Sequence, residues 1–179
     1  MIGRPRRQGR LLAAIGVLTL LGACTTPLNF SWPSGPQRPQ LYYISTPFNE
    51  AEFAHYDGRG RSSISGQAFV RVPGSLIEAA GSEVVVVPDT SYTRELWRPA
   101  RSGRYTRVAN FDPRYFKYRR AVIADGNGNF RFTGLPAGDY IVQTNVYIPA
   151  EGRTVFLHRR VTVEESAAAN IILSDLNQQ

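Results

Sequence analysis

From Ile64 onward, apolar positions recur every second residue in short runs separated by turn residues, a spacing that predicts strands rather than helices. Residues 65–72 place Ala68, Val70 and Val72 on one face and Phe69 on the other, and Pro73-Gly74 closes the run. Residues 83–87 carry four successive valines, Val84 to Val87, the pattern of a strand buried on both faces or inside a sandwich, and Pro88-Asp89-Thr90 ends it. Further strands are predicted over 119–124, around Phe130 and Phe132, and over 138–148, 154–163 and 169–173. Seven strands without a long amphipathic helix predict an all-β protein, an antiparallel seven-stranded Ig-like, prealbumin-like β-sandwich. One short helix is expected ahead of them. Thr46 would cap it, Pro47 would take its first position, and it would run to about Tyr56 with Phe48 and Phe53 packing on the domain, before Asp57-Gly58-Arg59-Gly60 breaks it.

The N-terminus follows a different pattern. Arg4, Arg6, Arg7 and Arg10 precede an apolar run over 11–21, interrupted only by Gly16 and Thr19 and too short to span a bilayer. Leu21-Gly22-Ala23-Cys24 follows, and Cys24 is the only cysteine of the chain. This ending resembles a bacterial lipobox, which implies cleavage before Cys24 and a diacylglycerol or palmitate-type lipid on its thiol. Thr25 and Thr26, in place of an aspartate, imply the outer membrane. Pro27, Pro33, Pro36 and Pro39 with Ser31, Ser34 and Gly35 then make an extended tether. The expected organisation is a signal peptide over 1–23, a lipidated tether over 24–40, a short helix and linker over 41–63, and the β-sandwich over 64–179. Charge must be recounted without the signal: removing its four arginines from 21 basic residues leaves 17 against 14 acidic ones, so the formal charge of +7 is largely a feature of the signal. A domain without disulfides in an oxidising compartment depends on packing and hydrogen bonds alone.

One stretch has a definite local architecture. Asp125 with Gly126 and Gly128 makes a tight hairpin, and Phe130 and Phe132, two apart, enter the core from one face. Leu135-Pro136-Ala137-Gly138 forms a corner, and Tyr140 starts the next strand with a hydroxyl able to bond back to corner backbone. These residues resemble the pattern D-x-x-G-x-F-x-F-x-x-L-P-x-G-x-Y of carboxypeptidase regulatory-like domains, which have a transthyretin-like Ig-type sandwich. Residues 66–70 and 81–93 resemble the opening strands of that family, and the likeness spans about 64–173. It is weaker between Glu95 and Arg119, where this chain has a longer connection. The resemblance implies a fold and brings no catalytic residue with it.

Candidate chemistry is sparse. Asp125, Asn127 and Asn129 copy half of a calcium loop, but Phe130 and Pro136 stand where glycine and glutamate are required. The two histidines, His55 and His158, are far apart, and His158 reads as a partly exposed structural residue. No nucleophile elbow, zinc-protease helix or phosphate loop is present, so no enzyme, metal or cofactor beyond the lipid is expected. The stretch suited to recognition is 92–120. There Arg94, Arg98, Arg101, Arg104, Arg107, Arg114, Lys117, Arg119 and Arg120 face only Glu95 and Asp112, with Trp97, Tyr105 and other aromatics interleaved. Guanidinium groups hold phosphate or carboxylate, and rings stack on sugars. Arg94, Trp97, Arg98, Arg101, Arg104, Tyr105 and Arg107 are the candidate binding surface. The same segment also reads as a solvated connection whose aromatics fold back over the sandwich edge. The expected function is a non-catalytic, membrane-anchored envelope lipoprotein whose sandwich is an interaction or structural module. The alternative is a glycan- or lipopolysaccharide-binding module using 92–120. Beyond the membrane itself, an envelope protein or acidic glycan is the expected partner; nucleic acid fits the chemistry but not the compartment. The oligomeric state is left open.

Overall fold

The structure is a computed structural model that describes residues 40–101 and 106–177. The expected signal peptide, Cys24 and the expected tether up to residue 39 lie outside the described residues.

Two sheets form the sandwich. In the first, β2 (Ser62–Val72) is central. On one side it pairs in parallel with β10 (Ala168–Ser174). On the other it pairs antiparallel with β3 (Ser75–Glu78) and β7 (Asn129–Leu135) in succession. The second sheet is antiparallel, in the order β6 (Arg120–Ile123), β4 (Glu83–Pro88), β8 (Gly138–Ile148), β9 (Arg153–Val163). A parallel two-stranded ribbon joins β1 (Gln40–Tyr42) to β5 (Thr106–Val108). The fold is the expected all-β sandwich, with ten strands rather than seven and with two parallel pairings. The three additional strands are short. Pro73-Gly74 is a hairpin turn into β3, where Gly74 takes φ +75°, because the residues that end a strand are also those that reverse it. β1 and β5 have three residues each, too few to show a period.

The core between the sheets includes Ile64, Val70, Val84, Val86, Phe130, Phe132, Val142, Leu157 and Leu173. Val85, Val87 and Ile141 point the other way into a second apolar cluster with Ile44, Phe48, Phe53, Tyr92, Leu96 and Tyr115. The Val84–Val87 run is therefore buried on both faces, as its lack of alternation requires. Phe48 and Phe53 pack on the domain as expected, in this third layer: Phe53 is fully buried, stacked on Phe48 at 4.4 Å and beside Tyr118 at 4.8 Å.

The helix there, α1 (Glu50–Phe53), begins later than its sequence signals suggest and continues as a 3-10 turn over Ala54–Tyr56. Asn49 is the N-cap, accepting from the Ala51 N–H at 3.1 Å. Thr46 does not cap because its N–H donates to Glu95 at 2.7 Å, holding it in an extended loop. The connection after β4 contains α2 (Ser91–Leu96) and α3 (Arg98–Arg101), neither of them expected. The signal for α2 is a capping box in which Thr90 and Thr93 bond each other reciprocally, with threonine where glutamate or glutamine is usual.

The hairpin and corner close through local bonds. Asp125 Oδ1 accepts the N–H groups of Asn127 and Asn129 at 2.9 and 2.8 Å, and the Asn129 amide completes the turn. Asn129 and these N–H groups hold the Asp125 carboxyl below its ordinary range. Gly128 sits at φ +76°, and a Cβ there would lie 2.4 Å from the Ala68 carbonyl oxygen. The Tyr140 hydroxyl donates to the Pro136 carbonyl at 2.8 Å, and burial raises its pKa, which keeps it a donor. Tyr56 straps the 3-10 turn to this corner, donating to Asp139 O at 3.0 Å and accepting from Asp139 N at 3.1 Å.

Candidate functional site

The segment singled out for its arginines and rings divides into two populations. Most of its apolar rings face inward: Tyr92 and Tyr115 are buried in the second cluster, with Phe111 and Tyr118 packed against it. Several of its cations are engaged in structure. Arg114 pairs with Asp112 and Glu50, each at 2.9 Å, and lies over the Phe48 ring at 4.7 Å. Lys117 pairs with Asp57 at 2.5 Å and Arg119 with Glu83. Arg120 donates to the carbonyls of Gly134, at 2.8 Å, and Gly58, at 3.0 Å, tying two loops together.

Arg94, Arg98 and Arg101 lie on the helical layer. Glu95 turns one face of α2 inward. Its carboxylate accepts from the Ser45 N–H at 2.8 Å, the Ser45 hydroxyl at 2.7 Å, the Thr46 N–H at 2.7 Å and the Tyr42 hydroxyl at 3.3 Å. Burial alone would raise the Glu95 pKa, but these donors outweigh it and hold the value at about 2. Glu52 secures the start of α2 through the Ser91 N–H and hydroxyl, at 2.8 and 2.6 Å. Because Arg101 N donates to Trp97 O, the backbone coils on past α2. Arg94, Trp97 and Arg101, at positions i, i+3 and i+7, therefore share a face directed at β9.

There Trp97 stacks on Phe156 (5.9 Å, 12°), and Phe156 stacks on His158 (5.6 Å, 16°). His158 is buried under this stack, not partly exposed as expected, because β9 turns that face toward α2 and α3. Asp89 receives Arg94 at 3.3 Å and Arg160 at 3.2 Å, one nearly buried carboxylate shared by two guanidinium groups. Among the described residues Arg98, Arg101 and Arg107 have no carboxylate partner, and all three are exposed. The gap between Arg94, Trp97, Arg101, Phe156 and Arg160 has a volume of about 10 Å³, no more than the room one water needs.

Of the seven residues expected to form the surface, the structure thus gathers Arg94, Trp97 and Arg101. Arg98 lies on the Tyr42 side, where its charge counters the rise in the tyrosine pKa caused by burial and Glu95. Arg107 sits on the β1–β5 ribbon, while Arg104 and Tyr105 lie outside the described residues. Phe156, His158 and Arg160 join the face from β9. Their alternation in sequence, Phe156-x-His158-x-Arg160, put them on one side of a strand but could not show which helix covers it.

No family model and no curated protein matches the chain. Among solved structures, a candidate carbohydrate-binding protein from Pseudomonas aeruginosa shares the fold with a TM-score of 0.60 at 24% identity, covering 72% of this chain and 98% of its own. More remote similarity extends to two pilins. The minor pilin of Streptococcus agalactiae has a TM-score of 0.36 at 17% identity, covering 66% of this chain and 44% of its own. The major pilin of Bacillus cereus has a TM-score of 0.34 at 16% identity, covering 68% and 31%.

Proposed function

We propose that this chain is a non-catalytic, lipid-anchored module of a bacterial cell envelope that binds an acidic glycan, lipopolysaccharide included, through the arginine face of α2, α3 and β9. The observation that carries the reading is the charge imbalance there: Arg94 and Arg160 share one carboxylate, while Arg101 has none among the described residues. Guanidinium groups fixed on a packed layer and bordered by a ring stack suit phosphate or carboxylate on a sugar. The anchor is read from the Leu21–Cys24 ending, and the family from the 125–140 hairpin and corner. A non-catalytic role is supported by the use of the displaced titratable groups: Glu95 and Tyr140 are committed to hydrogen bonds within the fold, and burial raises Tyr115 within the second cluster. The name of the Pseudomonas protein agrees with a sugar ligand.

Two experiments test the proposal. Full-length protein in detergent should bind lipopolysaccharide more tightly at low than at high salt, and Arg94→Ser/Arg101→Ser should weaken binding roughly tenfold. Unchanged affinity in that variant would remove the arginine face from the reading. Cys24→Ser should abolish palmitate labelling and move the protein out of the membrane fraction; retained labelling would disprove the anchor.

A further inference from the structure

On the other side of the sandwich, no element of the described residues covers the outer face of the β10–β2–β7 sheet. Alternation along β2 sends Ile64, Ala68 and Val70 into the core and Ser65 and Gln67 outward. The register aligns outward residues of three strands in two rows: Asn170, Ser65 and Arg131, then Ile172, Gln67 and Asn129. Adjacent strands lie about 4.8 Å apart, so each row is a line of neighbouring side chains. These residues line an open groove of about 650 Å³, within the range of about 300–1,000 Å³ typical of small-ligand sites.

The hydrogen-bonding state of the groove is informative. Gln67 Nε2 donates to the Asn127 carbonyl at 2.8 Å, and Asn129 Nδ2 donates to Asp125 at 3.0 Å, which orients both amides and leaves their oxygens as acceptors. The side chains of Ser65, Arg131 and Asn170 make no hydrogen bond or ion pair among the described residues. The groove therefore presents fixed acceptors beside uncommitted donors. Its charges balance, because Arg131 faces it together with the Asp125 carboxylate. An anion accepts hydrogen bonds only and would meet that carboxylate and the amide oxygens; a hydroxyl both donates and accepts. Ile123 and Ile172, 66% and 49% exposed, add aliphatic surface suited to the C–H face of a sugar ring. Gly66, between the two rows, allows the close approach on which the floor depends: a Cβ there would lie 2.1 Å from the Ile171 carbonyl oxygen.

We infer that this groove is a second binding site, for an uncharged polyhydroxylated ligand, specifically a neutral polysaccharide chain. It is separate from the arginine face and differs from it in charge. It stands whether or not that face binds an acidic glycan.

The test uses full-length protein in detergent, with soluble neutral β-glucan, galactomannan and chito-oligosaccharide as probes in calorimetry at high salt, where the arginine face is screened. At least one probe should bind. Asn170→Ala/Arg131→Ala should weaken it by about tenfold, while Arg94→Ser/Arg101→Ser should leave it unchanged. Both altered groove residues are exposed, so circular dichroism should confirm an intact fold. Failure of all three probes to bind the unaltered protein would overturn the inference, as would binding that survives the groove substitutions or is lost with the arginine pair. Lipopolysaccharide binding by the same groove variant separates the two proposals: it should persist, since its loss would mean that one surface serves both.

Discussion

The outer faces of the two sheets have met different fates, and the difference begins in single strands. Within β4 the run Val84–Val87 has no polar residue, so both of its faces require cover, and the chain provides it on the outer side with Ile44, Phe48, Phe53, Tyr92, Leu96 and Tyr115. β2 alternates Ile64-Ser65-Gly66-Gln67-Ala68, so only one face needs burial and the other remains available to solvent or ligand. The covered sheet carries arginines on the layer added above it, whereas the bare sheet carries its polar groups on the strands themselves. Surfaces of opposite character therefore arise from one architecture. The arginine face depends on a helical layer held by buried bonds; the groove depends only on strand register.

The comparison can be broken most severely at the covering layer. Phe53→Ala removes a fully buried ring from between Phe48 and Tyr118 and should cost about 3–5 kcal/mol, read as a large fall in Tm. If the layer were peripheral, Tm would barely change. On the bare sheet the corresponding site is Gly66. Gly66→Ala brings a methyl against the β10 backbone and should cost about 1–3 kcal/mol or more, since the obstruction is a carbonyl oxygen rather than a yielding side chain. Chemical denaturation should show that loss together with loss of neutral-probe binding.

Glu95 sharpens the comparison through pH. Its folded pKa of about 2 lies below the ordinary 4.5, so the carboxylate contributes fully above about pH 4.5, and its contribution is lost as pH falls through about 2. Glu95→Gln should lower stability by about 1–3 kcal/mol at neutral pH and flatten the acid limb of the stability curve. An acid limb identical to that of the unaltered protein would show that other carboxylates govern acid unfolding. The smallest effects belong to the groove: Ser65→Ala and Asn170→Ala should change stability by no more than about 0.5 kcal/mol, with any consequence confined to binding.

What could be read from the chain follows the range over which each signal acts. The Asp125–Asn129 hairpin, the Pro136–Tyr140 corner and the double burial of Val84–Val87 were all legible, because turn chemistry and burial period are written within a few residues. The helix start was misread for the opposite reason. Thr46 has the right local form for a cap, but Glu95, forty-nine positions away, takes its N–H. The same limit governed the arginines: composition shows their number, while which of them meet Asp112, Glu50, Asp57 or Glu83 depends on where remote carboxylates fall.

By itself, then, the sequence determined the sandwich class, its principal turns and which strand needed cover on both sides. Only the tertiary structure decided that Phe48 and Phe53 share a second core with Ile44, Tyr92 and Tyr115, that Trp97 meets Phe156, and that Asn170, Ser65 and Arg131 stand in one row. The physical reason is that alternation specifies the face a side chain occupies, whereas neighbours across strands are set by register and layer packing. Those are established only when segments more than a hundred residues apart, such as β2 and β10, come together.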